Sequence, residues 1–246
     1  MNNKILDIQN LVMGYRKHKV IENITIDAAI GDLICIIGRN GTGKTTFLNT
    51  IAGLIPAISG KIYYNDVDCT KISLSERSKI ISYVPSKHEY LSNFTIFDLI
   101  SLGRCPHTNI FDKKTDLDNQ IIENAIKESH LESIQHKPLY KISDGERQRA
   151  MICRAIVQQT PVILLDEPTS FLDCYAKQEL LLNLAQLAHQ KNKCVIFSCH
   201  DVELATKFAD KVWLTNNAKI SVFSSDEFLS NQIFEKLFKF NPYISC

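Results

Sequence analysis

Long hydrophobic runs are missing from this 246-residue chain. Its apolar stretches, such as Ile34-Cys35-Ile36-Ile37 and Val162-Ile163-Leu164-Leu165, are of strand length, far below the ~20 residues a helix needs to cross a bilayer. The N-terminus does not combine a basic start, an apolar block and a small-residue cleavage site, so no secretory leader is expected and the chain reads as soluble. An excess of charge of one sign is absent as well. Lys+Arg 28 against Asp+Glu 27 leaves a formal net charge of +1, which argues against nucleic acid as a partner held by bulk electrostatics. The eight cysteines show neither C-x-x-C nor Cys/His ligand spacing, and several fall inside apolar segments. That is the pattern of reduced, buried thiols rather than of disulfides or a metal centre. Internal repeats, low-complexity linkers and coiled-coil heptads are lacking too. What is present is a hydrophobic fraction of 45%, ample for a core, and a length that suits one large α/β domain with an inserted subdomain.

The most informative segment is Gly38-Arg39-Asn40-Gly41-Thr42-Gly43-Lys44-Thr45, which fits G-x-x-x-x-G-K-[ST]. Backbone N–H groups of such a loop wrap a polyphosphate, and the helix that follows offers the positive end of its dipole to the same charge. Lys44 reaches the β- and γ-phosphates in such loops, and the Thr45 hydroxyl coordinates Mg²⁺. The flanks agree. Asp32-Leu33-Ile34-Cys35-Ile36-Ile37 reads as a buried strand, and Thr46-Phe47-Leu48-Asn49-Thr50-Ile51-Ala52 has helix-compatible apolar spacing. The alternative, a Gly-rich turn linking strand to helix, leaves the Lys-Thr pair unexplained.

Around this loop the chain reads as alternating elements. Residues 4–30 carry short strand-like pieces, Ile5-Leu6-Asp7-Ile8 and Ile24-Thr25-Ile26, about the turn-like Gly14-Tyr15-Arg16-Lys17. A second strand group follows, Gly60-Lys61-Ile62-Tyr63-Tyr64 and Ile80-Ile81-Ser82-Tyr83-Val84. From about Asp98 to Gln159 the pattern is helical, with Ile121, Ile122, Ala125 and Ile126 on one face. Val162–Leu165 and Val195–Phe197 are continuous apolar runs, as expected of parallel strands covered on both faces, with Leu180–Ala188 as the crossover helix. In the tail, Asp226–Phe240, apolar residues including Phe228, Leu229, Ile233, Phe234, Leu237 and Phe238 recur at helical spacing, which ordinary packing explains better than a partner surface.

Asp166 and Glu167 close the second apolar run. A carboxylate at a strand's C-terminal end is placed to hold Mg²⁺, and the next acid can act as general base on a water in line with the γ-phosphate. In Ile142-Ser143-Asp144-Gly145-Glu146-Arg147-Gln148-Arg149, Ser143 and Glu146 have the S-x-x-E spacing of a capping box. The same Ser-x-Gly turn also offers a hydroxyl and N–H groups to a phosphate.

Together these residues resemble the ATP-binding cassette family, and the resemblance covers essentially the whole chain. Gly38–Thr45 looks like its Walker A motif and Asp166-Glu167 like its Walker B. Ile142–Glu146 is similar to the Leu-Ser-Gly-Gly-Gln signature, Ser170-Phe171-Leu172-Asp173 to the D-loop, and Ser198-Cys199-His200-Asp201 to the segment of the switch histidine. The resemblance implies an α/β P-loop (RecA-like) fold: a parallel sheet core with an antiparallel β subdomain and an inserted helical subdomain. The core and β subdomain would take residues 1–86 and 160–246, and the helical subdomain 87–159. It implies an ATPase with ATP and Mg²⁺ as ligands. Gly38, Arg39, Asn40, Gly41, Thr42, Gly43, Lys44, Thr45 and Thr46 would hold the phosphates, and Tyr15 would stack on adenine. Thr45 and Asp166 would face the metal. Glu167 would act with Lys44, and with His200 at the γ-phosphate. It also implies a head-to-tail dimer in which Ser143, Asp144, Gly145 and Glu146 complete the partner's site, with Asp173 in the D-loop.

Two departures stand out. Asp144 and Glu146 replace a glycine and the glutamine of the signature, a form that looks like that of ATPases serving iron-chelate importers. Ser86 follows Tyr83-Val84-Pro85 where the family's Q-loop glutamine is expected, so any contact of this position with the metal would run through water. Gly103-Arg104-Cys105-Pro106-His107 is similar to a Gly-Arg-x-Pro-His segment of importers for ferric siderophores, haem and cobalamin, although a helix end broken by Pro106 explains it locally. The implied assembly is a peripheral subunit on the cytoplasmic face of the inner membrane, a homodimer docked on integral membrane permease subunits and served by a substrate-binding protein. Two other readings stand beside it: a non-transport cassette ATPase of the iron–sulfur assembly type, and a weakly hydrolysing regulatory subunit.

Overall fold

The structure is a computed structural model that describes residues 4–16, 18–86, 93–108, 113–170 and 172–230. In chain order its elements are β1 (Lys4–Tyr15), β2 (His18–Ala29), β3 (Leu33–Ile37), α1 (Lys44–Ala52), β4 (Ser59–Tyr64), β5 (Val67–Asp68), α2 (Leu74–Ser78), β6 (Ile81–Val84), α3 (Ile96–Ser101), α4 (Asp116–Glu128), α5 (Asp144–Val157), β7 (Val162–Leu165), α6 (Cys174–His189), β8 (Cys194–Ser198), α7 (Val202–Thr206), β9 (Lys211–Asn216), β10 (Lys219–Ser224) and α8 (Ser225–Ser230). Short 3₁₀ turns at Leu102–His107, Glu132–Ile134 and Leu139–Lys141 complete the helical stretch between β6 and β7.

The strands form a six-stranded sheet of order β10-β9-β3-β8-β7-β6 and a four-stranded sheet of order β2-β1-β4-β5. In the larger sheet β6, β7, β8, β3 and β9 run parallel, and β10 is an antiparallel edge. Alternation along β3 divides the core. Leu33, Cys35 and Ile37 join Val195, Phe197, Leu181, Leu184 and Ile152 in one cluster, while Ile34 and Ile36 join Phe47, Leu48, Trp213, Leu6 and Ile8 in the other. Successive side chains of a strand point to opposite faces, so a strand covered on both sides must be apolar throughout. Burying each such Leu, Ile or Phe contributes about 1.5–3 kcal/mol.

The expected strand-like pieces of residues 4–30 are two continuous strands of 12 residues each. Register shifts interrupt their pairing, and Asn10 and Asn23 sit at positive φ of 47° and 55°. Each irregularity breaks the period of two, which is why the sequence reads as fragments. Gly14 and Tyr15 belong to β1, and the turn lies beyond them. The second strand group divides between sheets: β4 pairs with β1, whereas β6 pairs with β7. On α4, Ile122, Ala125 and Ile126 are buried and Ile121 packs against the same core. Of the tail, Phe228 is buried and Leu229 exposed; Ile233, Phe234, Leu237 and Phe238 lie outside the described residues. Cys35, Cys69, Cys153, Cys194 and Cys199 are buried thiols, and burial raises the pKa of each.

Candidate active site

Three neighbouring parallel strands bring the polar residues to one edge of the sheet. β3 ends at Ile37 and enters the Gly38–Gly43 loop; β8 ends at Ser198, before Cys199-His200; β7 ends at Leu165, before Asp166-Glu167. The carboxyl ends of parallel strands are where open α/β sheets hold ligands.

The loop needs its glycines for distinct reasons. At Gly38 a Cβ would lie 2.0 Å from the Thr215 hydroxyl on β9, so the loop could not pack against that strand. Gly43 has φ +98° and leads into α1, and a Cβ there would also meet Val20 at 2.6 Å. Thr42 closes the loop by donating to the Arg39 carbonyl at 2.8 Å. No side chain caps α1, whereas Ser73, Thr95, Thr115 and Ser143 cap α2, α3, α4 and α5. The first-turn N–H groups of α1 thus suit an external anion. Lys44 is buried, and its Nζ donates to the carbonyls of Gly38 at 2.9 Å and Arg39 at 3.2 Å. Burial lowers its pKa, and Glu167 and Asp166 oppose that shift by favouring the ammonium.

Asp166 is 1% exposed, and both its carboxylate oxygens are engaged. Thr45 Oγ1 donates to Oδ2 at 2.8 Å, and Ser198 Oγ donates to Oδ1 at 2.7 Å. Glu167 adopts φ +50°, a left-handed conformation that costs a non-glycine residue about 1–3 kcal/mol and that clusters at functional sites. Its N–H donates to Ser198 Oγ at 2.8 Å, and its Oε1 lies 2.6 Å from His200 Nε2.

A cleft of about 520 Å³ runs over this constellation, lined among others by Tyr15, Asn40, Gly41, Lys44, Thr45 and Thr46, with Glu167 and His200 across it. Tyr15 is half exposed at its mouth, its hydroxyl 3.3 Å from that of Thr46. His18 and Val20 also line the cleft. No motif marks them; the β1–β2 hairpin, with Tyr15 opposite His18, brings them there.

Ser86 lies elsewhere. It lines a second cleft of about 590 Å³ with Asn49, Arg154, Thr45 and Asp166, so Thr45 borders both clefts. Arg154, on α5, donates to the Tyr83 carbonyl at 2.9 Å and ties that helix to the strand preceding Ser86. Burial foremost, and then Asp166, raises the pKa of the Tyr83 hydroxyl.

Ser143, Asp144, Gly145 and Glu146 line neither cleft. They open α5 with a capping box: Ser143 Oγ accepts from the Glu146 N–H at 3.2 Å, and the Ser143 N–H donates to Glu146 Oε2 at 2.8 Å. Asp144 pairs with Arg147. Asp173 caps α6 by accepting from the Ala176 N–H at 2.8 Å, and Phe171 lies outside the described residues. The Gly103–His107 segment is a packed brace. Arg104 is buried and donates to Asp118 at 2.8 Å, the Val157 carbonyl at 2.7 Å and Gln159 at 3.0 Å. His107 Nε2 lies 2.9 Å from the Gln158 carbonyl, and the Gln158 amide donates to the carbonyls of Ser78 and Ile81 beside β6.

The ABC transporter family profile matches residues 21–170. An uncharacterized ABC transporter ATP-binding protein of Methanocaldococcus jannaschii is 38% identical over 223 residues, 91% of this chain and 77% of its own length. The iron(3+)-hydroxamate import ATP-binding protein of Bacillus subtilis is 30% identical over 240 residues, 97% of this chain and 89% of its own length. A solved ABC transporter assigned to the metal-chelate type, in an inward-facing conformation, superposes with a TM-score of 0.84 at 28% identity, over 96% of this chain and 90% of that one. The matched span holds the phosphate loop, the Ser143–Glu146 turn and the Asp166-Glu167 pair, and the chain belongs to the ABC transporter family as its ATP-binding subunit, an ATPase.

Proposed function

We propose that this subunit powers uptake of a metal chelate, of the iron-siderophore, haem or cobalamin class, through separate permease subunits supplied by a substrate-binding protein. The observation that carries the catalytic part is the convergence of Lys44, Thr45, Glu167 and His200 on one cleft, with Asp166 behind Thr45. The substrate class is supported by the iron(3+)-hydroxamate relative and the metal-chelate structural neighbour. Peripheral attachment at the cytoplasmic face of the inner membrane follows from the same reading. No helix among the described residues is long and apolar enough to cross a membrane.

In this mechanism the α1 N-terminus and the loop N–H groups cradle the triphosphate, Lys44 moves from the loop carbonyls onto it, and Tyr15 stacks on the adenine. The Thr45 hydroxyl and the Asp166 carboxylate, hard oxygen donors joined at 2.8 Å, suit Mg²⁺, which when bound neutralises charge on the phosphate oxygens. Glu167 accepts the proton of a water as its oxygen bonds to the γ-phosphorus and the bond to ADP breaks. His200 orients the Glu167 carboxylate and meets the γ-phosphate. Ser143 and Gly145, which line neither cleft of their own subunit, complete the site of a second copy, and the helical elements between β6 and β7 form the lobe that carries them.

Glu167→Gln tests the catalytic part. ATP binding should persist while hydrolysis falls by a factor of at least ~10², and an ATP-bound dimer should accumulate on size exclusion. Near-normal turnover would remove Glu167 from the general-base role. The chelate class is tested by purifying the subunit in mild detergent, identifying the membrane proteins that accompany it, and measuring ferric hydroxamate against cobalamin uptake in vesicles. Ser86 favours one competing reading, a regulatory subunit of weak turnover, and a steady-state rate in the reconstituted complex decides between them.

A further inference from the structure

We infer that Ser198 is a positioning residue for hydrolysis, holding the Asp166-Glu167 pair in its working conformation. The inference rests on Glu167 being the general base. Ser198 is the last residue of β8 and is 0% exposed. Its hydroxyl does two things at once, donating to Asp166 Oδ1 at 2.7 Å and accepting from the Glu167 N–H at 2.8 Å. The register that pairs Leu165 with Phe197 brings together the residues that follow them, Asp166 just past β7 and Ser198 at the end of β8, so the bridge follows from the sheet itself.

Each bond has its own consequence. Asp166 is gripped at both carboxylate oxygens, Oδ2 by Thr45 at the start of α1 and Oδ1 by Ser198 on β8. That fixes the orientation of the carboxylate facing the metal. The bond to Glu167 supports a backbone at φ +50°, a conformation that side-chain-bearing residues rarely adopt. His200, two positions after Ser198, takes the carboxylate end of the same glutamate at 2.6 Å. The end of β8 therefore holds Glu167 at its backbone and at its side chain. Without the Ser198 hydroxyl, the Glu167 N–H loses its partner and the backbone is released toward ordinary φ. The carboxylate then swings away from the line of attack, and a displacement of about 1 Å suffices to lose on the order of 10² in rate.

A hydroxyl that only satisfied buried polar groups would alter stability and leave turnover per folded molecule intact. The test uses the full chain with Ser198→Ala, Ser198→Thr, Glu167→Gln and the Ser198→Ala/Glu167→Gln pair, each followed by steady-state ATPase kinetics, binding of a fluorescent ATP analogue and thermal melting. Ser198→Ala should lower kcat about tenfold or more, with KM and nucleotide affinity changed less than about threefold. Ser198→Thr, which keeps the hydroxyl, should recover most of the rate. In the Glu167→Gln background the alanine substitution should cost clearly less than it does in the wild type, because the part of its effect that runs through the base is gone and only the bond to Asp166 remains to be lost. Wild-type kcat in Ser198→Ala, a threonine variant no better than alanine, or an equal loss in the Glu167→Gln background would each overturn the inference. Should Ser198→Ala not fold, Ser198→Cys, similar in size but a poor hydrogen-bonding partner, carries the same expectations. Normal turnover in Glu167→Gln would instead overturn the general-base reading, and the inference with it. Loss in Glu167→Gln beside an unchanged Ser198→Ala would sink the inference alone.

Discussion

Lys44 shows how one side chain serves two partners. Its ammonium rests on the carbonyls of Gly38 and Arg39, and the proposed mechanism exchanges these weak acceptors for phosphate oxygens. Lys44→Ala should therefore weaken ATP binding itself, by roughly tenfold or more, measured by equilibrium binding. Glu167→Gln should leave that affinity in place. Ser86 poses the opposite question. The cleft it shares with Thr45 and Asp166 has ample room for a longer side chain, so Ser86→Gln should raise basal ATPase, or its dependence on the permease, a few-fold; tenfold would correspond to ~1.4 kcal/mol at the barrier. If Lys87 or His88, both outside the described residues, already substitutes for glutamine, Ser86→Gln should change little and Lys87→Ala or His88→Ala should slow the enzyme. A strong loss in Ser86→Gln would show a site rebuilt around serine.

At the scale of elements, Arg104 and Asp118 join the 3₁₀ turn to α4 and, through the Val157 carbonyl, to the end of α5. The N–H and hydroxyl of Thr115, with Arg104 beside them, hold the Asp118 carboxyl down at about 2, against an ordinary value of 3.8. Because the folded pKa lies below the unfolded one, the stabilisation is fully present above pH ~4 and is lost as pH falls through ~2. It amounts to about 2 kcal/mol. Asp118→Asn should lower the melting temperature at pH 7 and flatten the steep acid limb between pH ~4 and ~2. Arg104→Ala, which leaves a buried carboxylate without its cation, should cost about 3–5 kcal/mol in urea unfolding. Ser143 makes a sharper case, because its cap on α5 predicts only ~1 kcal/mol for Ser143→Ala. An ATPase loss far beyond what that instability explains would mark its second role. The helical face of α4 could be read from four apolar residues at local spacing. The long strands β1 and β2 could not, because bulges at Asn10 and Asn23 broke the alternation that marks a strand.

At the scale of the whole molecule, the Ser143–Glu146 turn lines neither of the clefts that border the phosphate loop and α1. If turn and loop meet only across a dimer, mixing Ser143→Arg subunits with Lys44→Ala subunits should restore part of the nucleotide-dependent dimerisation that each lacks alone. Such a heterodimer holds one intact composite site and one doubly broken site. Unchanged dimerisation and hydrolysis in Ser143→Arg by itself would reduce the turn to a helix cap.

Sequence alone determined the features whose chemistry sits in consecutive residues. The phosphate loop, the carboxylates after Leu165 and the apolar parallel strands all carry their meaning in local spacing, and the family follows from their order along the chain. Only the tertiary structure decided what depends on register between distant segments. Ser198 reaches Asp166 from 32 residues away because β7 and β8 pair in parallel. His18 and Val20 enter the cleft through a hairpin, and Arg104 became a brace when α4 and the end of α5 closed around it. Such contacts leave no local pattern, since their stabilisation exists only once the sheet and the helices have packed.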